Sequence, residues 1–148
     1  MAVISKAELL ANLDCLPKDT ALISISEPPY SEYLHEGLTD KVLNLFQASI
    51  ASEFWDIEEA IDNYEPISMQ TAKALQEFIL ANSHLRFIVH CRAGQSRSAG
   101  VAKAIECLLA FGPGPEAKYL YSTGFTSAIS SNPRYSPNLT VFDKIVLA

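Results

Sequence analysis

The sequence is poor in positive charge. It has 11 Lys and Arg residues against 17 Asp and Glu residues, a formal net charge of −6, and no run of basic residues. This balance disfavours a general nucleic-acid-binding protein, because clustered Lys and Arg bind the phosphate backbone. Any anionic ligand must therefore be attracted by groups at its own site rather than by the field of the whole protein.

Cysteine is also scarce. The three residues Cys15, Cys91 and Cys107 are odd in number and form no C-x-x-C pair. This pattern favours free thiols in a reducing compartment over a disulfide framework. The three histidines fit no metal-binding template, so we expect no metal site and no other cofactor.

Long apolar runs are missing as well. No run approaches the roughly 18 to 20 residues that cross a bilayer, and Lys6 and Glu8 interrupt the apolar N-terminal residues in a way that does not fit a signal peptide. With 49% hydrophobic and 19% charged residues, the composition is that of an ordinary globular protein. We therefore predict one domain over residues 1–148, located in the cytoplasm, with no membrane partner.

Hydrophobic patterning predicts strands that alternate with helices. The predicted strands are 21–26, 42–46 and 87–90, and the predicted helices are 5–13, 68–82, from residue 96 or 97 to Gly112, from Pro115 onwards, and 138–146. This alternation predicts a three-layer α/β fold, with a central, mostly parallel sheet and helices on both faces. In such sheets ligands bind beyond the C-terminal ends of the strands.

Two segments are predicted to be irregular. Residues 30–40 are polar and aromatic with a turn at Gly37, and the way residues 27–40 fold decides the depth of any cleft. Residues 47–66 show no clear period and are predicted to form a long connection. Loops of that length inside a compact domain usually have a function.

The residues after the third predicted strand carry the chemistry. Cys91 leads into a short loop containing Gly94, and Arg97 begins the next helix. Loop amides and a helix N-terminus stabilise an anion, and a guanidinium matches two phosphate oxygens. A lone cysteine is most often structural, but this setting predicts a nucleophile that attacks phosphate. Ser98 is the candidate donor to its sulfur, and His90 either orients the loop or packs within the strand.

The run from His90 to Ser98, HCRAGQSRS, resembles the H-C-x-x-G-x-x-R-[ST] motif of the cysteine-based protein tyrosine and dual-specificity phosphatases. The motif covers nine residues, and the predicted element order over about residues 20–111 is compatible with that family. The resemblance implies a phosphatase-like loop at a strand C-terminus, a phosphocysteine intermediate on Cys91 and phosphate binding by Arg97. The loop residues that the resemblance places at the substrate are Arg92, Ala93, Gly94, Gln95 and Ser96.

The same family implies an aspartate general acid on a loop before the cysteine. Asp56 follows Phe54 and Trp55 in the long connection, where the resemblance places this acid. It would protonate the leaving oxygen and then deprotonate the attacking water. Glu53 and Glu58 are the alternative acids. Trp55-Asp56 lacks the intervening proline of the tyrosine-specific W-P-D form, so tyrosine-only and dual specificity both stay open.

Arg92 is the one additional cation in the loop, whereas the lipid-phosphatase form resembles C-K-A-G-K-G-R with two lysines. We therefore expect a phosphorylated protein (phosphotyrosine, with phosphoserine or phosphothreonine) or a small phosphate ester as substrate, and not a polyanionic inositol head group. Two other functions stay open. One is rhodanese-like sulfur transfer or arsenate reduction, the latter with Cys107 or Cys15 as resolving thiol. The other is a non-catalytic phosphate-binding module.

Overall fold

The computed structural model describes residues 1–28 and 38–148. Within these ranges each of four strands is followed by a helix, and three further helices complete the described chain. Their bounds are β1 Ala2–Ser5, α1 Lys6–Ala11, β2 Ala21–Ser26, α2 Asp40–Leu43, β3 Ala48–Glu53, α3 Met69–Ala81, β4 Phe87–Cys91, α4 Arg97–Phe111, α5 Pro115–Gly124, α6 Ala128–Ser131 and α7 Leu139–Leu147. None of the helices in the described ranges is long and apolar enough to cross a membrane.

The four described strands form one sheet in the order β1-β4-β2-β3, and each of its pairings is parallel. Parallel pairing brings the C-terminal ends of the strands to one edge of the sheet. At this edge β2 ends at Ser26, β3 at Glu53 and β4 at Cys91. The central sheet predicted from the sequence is therefore confirmed, and Cys91 lies at the edge where such folds bind ligands.

Both faces of the sheet are buried, as the layered prediction requires. In β4, the side chains of Phe87, Val89 and Cys91 join a core shared with α3, α4, α5 and α7. The alternate residue Ile88 joins a second core on the opposite face, shared with α1 and α2. Since side chains alternate along a strand, Cys91 lies on the α4 face.

Three of the predicted helix starts are confirmed by their capping contacts, and a fourth is confirmed by the position of Pro115. Ser5 and Glu8 form a reciprocal capping box at α1, with Ser5 Oγ accepting from the Glu8 amide at 3.0 Å. Ser68 caps α3 through its side chain, and Asn138 does the same for α7. Pro115 occupies the first turn of α5, where its missing N–H leaves no intrahelical bond unmade.

The strand predicted over 42–46 is wrong. The Thr39 side chain accepts from the Val42 amide and starts the short helix α2. Leu43 and Phe46, three residues apart, are both buried, which is the spacing of a helical turn rather than of a strand. A short apolar run does not distinguish the two elements, and the capping residue decided between them.

The strand that does form after β2 is β3. It lies inside the segment 47–66, which the sequence predicts to be a long connection. Its sequence, Ala-Ser-Ile-Ala-Ser-Glu, has few large apolar residues. β3 stands at an end of the sheet and pairs only with β2 among the described strands, so it buries less surface and shows a weaker pattern. The short β1 was also not predicted. The predicted loop at 30–40, with its turn at Gly37, lies mostly outside the described residues.

Candidate active site

The loop between β4 and α4 packs against the junction of β1 and α1. Gly94 has φ +68°, and a Cβ added there would come within 2.5 Å of the Ile4 carbonyl carbon and of the Ser5 nitrogen. The Lys6 amide donates to the Arg92 carbonyl at 3.4 Å. The loop therefore requires glycine for two reasons, a left-handed backbone and a close approach.

We expect Gly94→Ala to destabilise the protein by about 2–4 kcal/mol, since it adds a backbone collision to the strain of a left-handed residue. Gly112→Ala is the matched control. Gly112 has φ +83° and ψ −169°, a region open essentially to glycine alone, but no described atom lies within 4 Å of its added Cβ. It should lose about 1–3 kcal/mol from backbone strain alone, less than Gly94→Ala, which adds the collision. Chemical denaturation of both variants measures the difference. Equal losses would contradict the close packing of the loop on β1.

Cys91 is 2% exposed at the end of β4. Its Sγ lies 3.1 Å from Oγ of Ser98, and the Gly94 amide donates to it at 3.3 Å. Burial alone would raise the pKa of the thiol. Hydrogen bonds from the Ser98 hydroxyl and from the Ser98 and Gly94 amides, with the charge of Arg97, outweigh burial and hold that pKa below its ordinary value.

Cys107 provides a contrast within the same chain. It is fully buried in α4, and burial raises its pKa to about 11. It therefore stays a neutral thiol at physiological pH, whereas the surroundings of Cys91 favour the thiolate. Thiolate character, and with it nucleophilic reactivity, is concentrated at Cys91.

Arg97 is 4% exposed at the first position of α4, and its guanidinium reaches the ends of two strands. Nη1 donates to the carbonyl of Phe54, after β3, at 3.1 Å, and Nη2 lies 3.6 Å from Oε1 of Glu27, after β2. Nε is buried and has no hydrogen-bond partner within the described part of the chain. A buried unsatisfied donor costs about 1–3 kcal/mol, so an anion bound in the loop would satisfy a group that the fold leaves unpaired.

Asp56 is brought to the same loop although it lies 40 positions before Ser96 in the chain. Its Oδ1 accepts from Ser96 Oγ at 2.7 Å and from Asn138 Nδ2 at 3.0 Å. The same Asn138 amide group donates to the Ile57 carbonyl at 3.2 Å. The Asn138 backbone amide donates to the Ser96 carbonyl at 3.1 Å. Asn138 therefore joins the segment carrying Asp56 to the loop that follows Cys91.

The remaining residues predicted at the site take different positions. Arg92, Ala93 and Gln95 have exposed side chains around the loop. His90 belongs to the sheet, and its Nε2 is 2.7 Å from Oγ of Ser24 on β2. Burial lowers the pKa of His90 to about 4, so the ring is neutral near pH 7. This contact fits a histidine packed within its strand.

Sequence reasoning missed two side chains of the site. Glu27 lies 3.6 Å from Arg97 and 3.9 Å from Arg92. Glu27 could have been predicted from the sequence, since an acidic residue directly after a buried strand lies at the ligand-binding edge. Asn138 was recognised only as the first residue of a helix, and no local pattern links it to Asp56.

A cleft of about 340 Å³ adjoins the loop. It is lined by Glu27, Trp55, Asp56, Ile57, Ile61 and Tyr64. The rings of Trp55 and Tyr64 meet edge to face with centroids 4.8 Å apart. The cleft therefore has an aromatic and aliphatic wall with carboxylates beside it. In residues 1–28 and 38–148 no group of three or more His, Cys, Asp or Glu side chains is placed to hold a metal ion.

No protein-family model and no curated protein matches this sequence. Among solved structures, PTPMT1 in complex with PI(5)P matches with a TM-score of 0.53 at 18% identity, over 97% of this chain and 84% of that chain. Another PTPMT1 structure gives 0.50 at 15% identity, over 99% and 85%. The human tyrosine phosphatase-like serine/threonine/tyrosine-interacting protein gives 0.47 at 18% identity, over 95% and 82%.

The fold of this chain is that of the phosphatase-fold structures it matches. The parallel four-stranded sheet with helices on both faces is the architecture that this chain shares with PTPMT1. At these identities the likeness concerns the fold.

Proposed function

We propose that this protein is a cysteine-dependent phosphatase of the tyrosine or dual-specificity type. Cys91 attacks the phosphorus of a phosphate monoester and forms a phosphocysteine. Arg97 and the loop amides bind the phosphate oxygens, Asp56 is the general acid and base, and Ser98 donates to the sulfur. The substrate class is phosphotyrosine, with phosphoserine and phosphothreonine as further substrates.

One observation carries this proposal. The lowered pKa of Cys91 and the buried, unpartnered Nε of Arg97 belong to one loop. A nucleophilic anion and an unsatisfied guanidinium donor together suit an electrophilic oxyanion, since the donor stabilises charge on the oxygens while the sulfur attacks the central atom. The solved complex of PTPMT1 with PI(5)P, a phosphate ester, supports the same ligand chemistry.

The reaction follows in two balanced steps. The Cys91 thiolate forms the S–P bond as the ester P–O bond breaks, and the leaving oxygen takes the proton of Asp56. A water molecule then loses its proton to Asp56 and attacks phosphorus, and the S–P bond breaks to return the thiolate. In the second step Ser98 donates a hydrogen bond to the sulfur, which favours its departure as a thiolate.

The contacts of Asp56 favour this reaction over sulfur transfer, which needs no acid at this position. Asp56 accepts hydrogen bonds from Ser96 and Asn138, both in contact with the loop. They are made to Oδ1, so Oδ2 is free of them to carry the transferred proton. Arsenate reduction needs a resolving thiol, and Cys107 is fully buried with a raised pKa. A phosphate-binding module would need neither the acid nor the lowered pKa of Cys91.

The direct test is hydrolysis of para-nitrophenyl phosphate by the purified protein between pH 5 and 7, with thiosulfate-to-cyanide sulfur transfer measured in parallel. We expect hydrolysis and no sulfur transfer. Sulfur transfer without hydrolysis would overturn the proposal in favour of the rhodanese-like function. Neither activity, together with tight phosphate binding, would favour the non-catalytic module.

Ser98→Ala is expected to raise the pKa of Cys91, because the Ser98 hydroxyl stabilises its thiolate. The acidic limb of the kcat/KM profile should therefore move to higher pH. The maximal kcat should fall about 10- to 100-fold, the effect of losing a hydrogen bond to a charged group. Ser122→Ala, at an exposed position on α5, is the control that should leave the profile in place. An unshifted acidic limb in Ser98→Ala would remove Ser98 from the catalytic group.

A further inference from the structure

The cleft beside the loop is placed to receive the part of the substrate that carries the phosphate. Glu27 lines this cleft and lies 3.6 Å from Arg97, and Asp56 lines it while accepting from Ser96 in the loop. The buried Nε of Arg97 has no hydrogen-bond partner among the described residues, and the same guanidinium contacts Glu27 of the cleft lining. A phosphate on Arg97 would therefore leave its organic group against the cleft wall.

The described segment that supplies most of this wall is strongly acidic. Residues 53–65 contain six Asp and Glu residues and no Lys or Arg. Besides Glu27 and Asp56 at the cleft, the exposed acids of this segment are Glu53, Glu58, Glu59, Asp62 and Glu65.

The positive charges at the site belong to the loop and the start of α4. Arg97 is buried and lies 3.6 Å from Glu27, and Arg92 is 70% exposed and lies 3.9 Å from Glu27. One phosphate can be held there, but a second anionic group on the substrate would face the acidic wall. Surface charges within about 8–10 Å of the substrate act on it at physiological salt. The wall therefore repels polyanionic esters and attracts cationic ones.

The wall chemistry suits a basic polypeptide. The edge-to-face pair of Trp55 and Tyr64 offers ring surface to the phosphorylated aromatic side chain. Lys and Arg can lay their aliphatic stems on the same surface while their charged ends reach the carboxylates. Charge complementarity thus selects among phosphorylated partners.

We propose that the acidic cleft wall makes this protein selective for phosphotyrosine in polypeptide segments with Lys or Arg beside the phosphorylated residue. This inference rests on the proposed phosphatase function and names its substrate class. In this proposal the loop binds the phosphate. Residues 53–65 and Glu27 of the protein bind the substrate residues that flank the phosphotyrosine.

The experiment compares phosphotyrosine peptides of equal length flanked on both sides by Lys, by Ala or by Glu, together with vesicles containing PI(5)P. We expect kcat/KM to be about tenfold or more higher for the Lys peptide than for the Glu peptide at low salt. The ratio should fall as ionic strength rises. Hydrolysis of PI(5)P vesicles at a kcat/KM above that of the Lys peptide would overturn the inference, as would equal rates for the Lys and Glu peptides.

A matched pair of double variants attributes the selectivity to the wall. Glu59→Gln with Asp62→Asn removes two exposed charges near the cleft, and Asn tolerates the left-handed backbone of residue 62, where φ is +52°. Glu77→Gln with Glu116→Gln removes two exposed charges elsewhere. The first pair should lower the Lys-to-Glu ratio by about threefold and the second should not change it. Equal effects of both pairs would assign the preference to net charge and contradict the proposed wall.

Two readouts keep this inference distinct from the phosphatase proposal. Hydrolysis of para-nitrophenyl phosphate with no peptide preference would leave the catalytic proposal standing and reject the wall. If no ester is hydrolysed, the affinities of the three peptides for the Cys91→Ser protein still test the wall. Tighter binding of the Lys peptide supports it, and equal or reversed affinities reject it.

Discussion

Cys91→Ser is expected to abolish the hydrolysis of phosphate esters, with a loss of about 10⁴-fold or more in kcat. The thiol at this position has a lowered pKa, because hydrogen bonds and the charge of Arg97 stabilise its thiolate against the effect of burial. A serine hydroxyl is not ionised in the same surroundings and forms no equivalent intermediate. The loop amides and Arg97 remain in place, so the variant should still bind phosphate or vanadate.

The measurements are steady-state hydrolysis of para-nitrophenyl phosphate and titration calorimetry with vanadate. Cys15→Ser is the control, because Cys15 is exposed and lies outside the site. It should retain full activity. A Cys91→Ser protein that keeps activity within about 100-fold of the parent would exclude Cys91 as the nucleophile. Loss of both hydrolysis and anion binding would instead indicate a collapsed loop, which a melting curve would reveal.

Asp56→Asn is expected to lower kcat by about 10²–10³-fold, the usual contribution of a positioned general acid. The amide keeps an oxygen that can accept from Ser96 and Asn138, so the loop geometry should survive while the transferable proton is lost. The loss should be largest for poor leaving groups, because these need protonation most. Phenyl phosphate should therefore be affected more than para-nitrophenyl phosphate.

Glu53→Gln and Glu58→Gln are the matched controls for that variant. Both remove a carboxylate from the same acidic segment, whereas the hydrogen bond from Ser96 in the loop goes to Asp56 at 2.7 Å. We expect changes of less than about threefold. A larger loss in either Glu variant than in Asp56→Asn would assign the general acid to that glutamate.

Much of the fold could be predicted because its signals are local. Ser5 and Ser68 stand directly before amphipathic runs, and both cap helices as expected. The run 21–26 is β-branched and apolar because β2 is central and buried on both faces. The residue pattern of such elements reflects how they are buried. The end strand β3 lacks this signal because only part of its surface is buried, so its sequence predicts a loop.

The error over 42–46 has a different cause. Leu43 and Phe46 bury together from a helical turn that Thr39 caps, and an apolar run of this length suits either element. Tertiary context chose the helix, since the strand position beside β2 is filled by Ala48–Glu53. A local sequence pattern does not show which of two segments pairs with β2 in the sheet.

The sequence by itself determined the loop from Cys91 to Ser98, because a strand end, a positive-φ glycine and a helix start are properties of contiguous residues. It also placed Asp56 before the loop by resemblance. Only the tertiary structure decided what completes the site, namely the contacts of Glu27 and the Phe54 carbonyl with Arg97 and of Asn138 with Asp56. These groups lie close together because parallel strands end at one edge of the sheet. Local sequence periodicity cannot predict such contacts, because they join residues that are tens of positions apart in the chain.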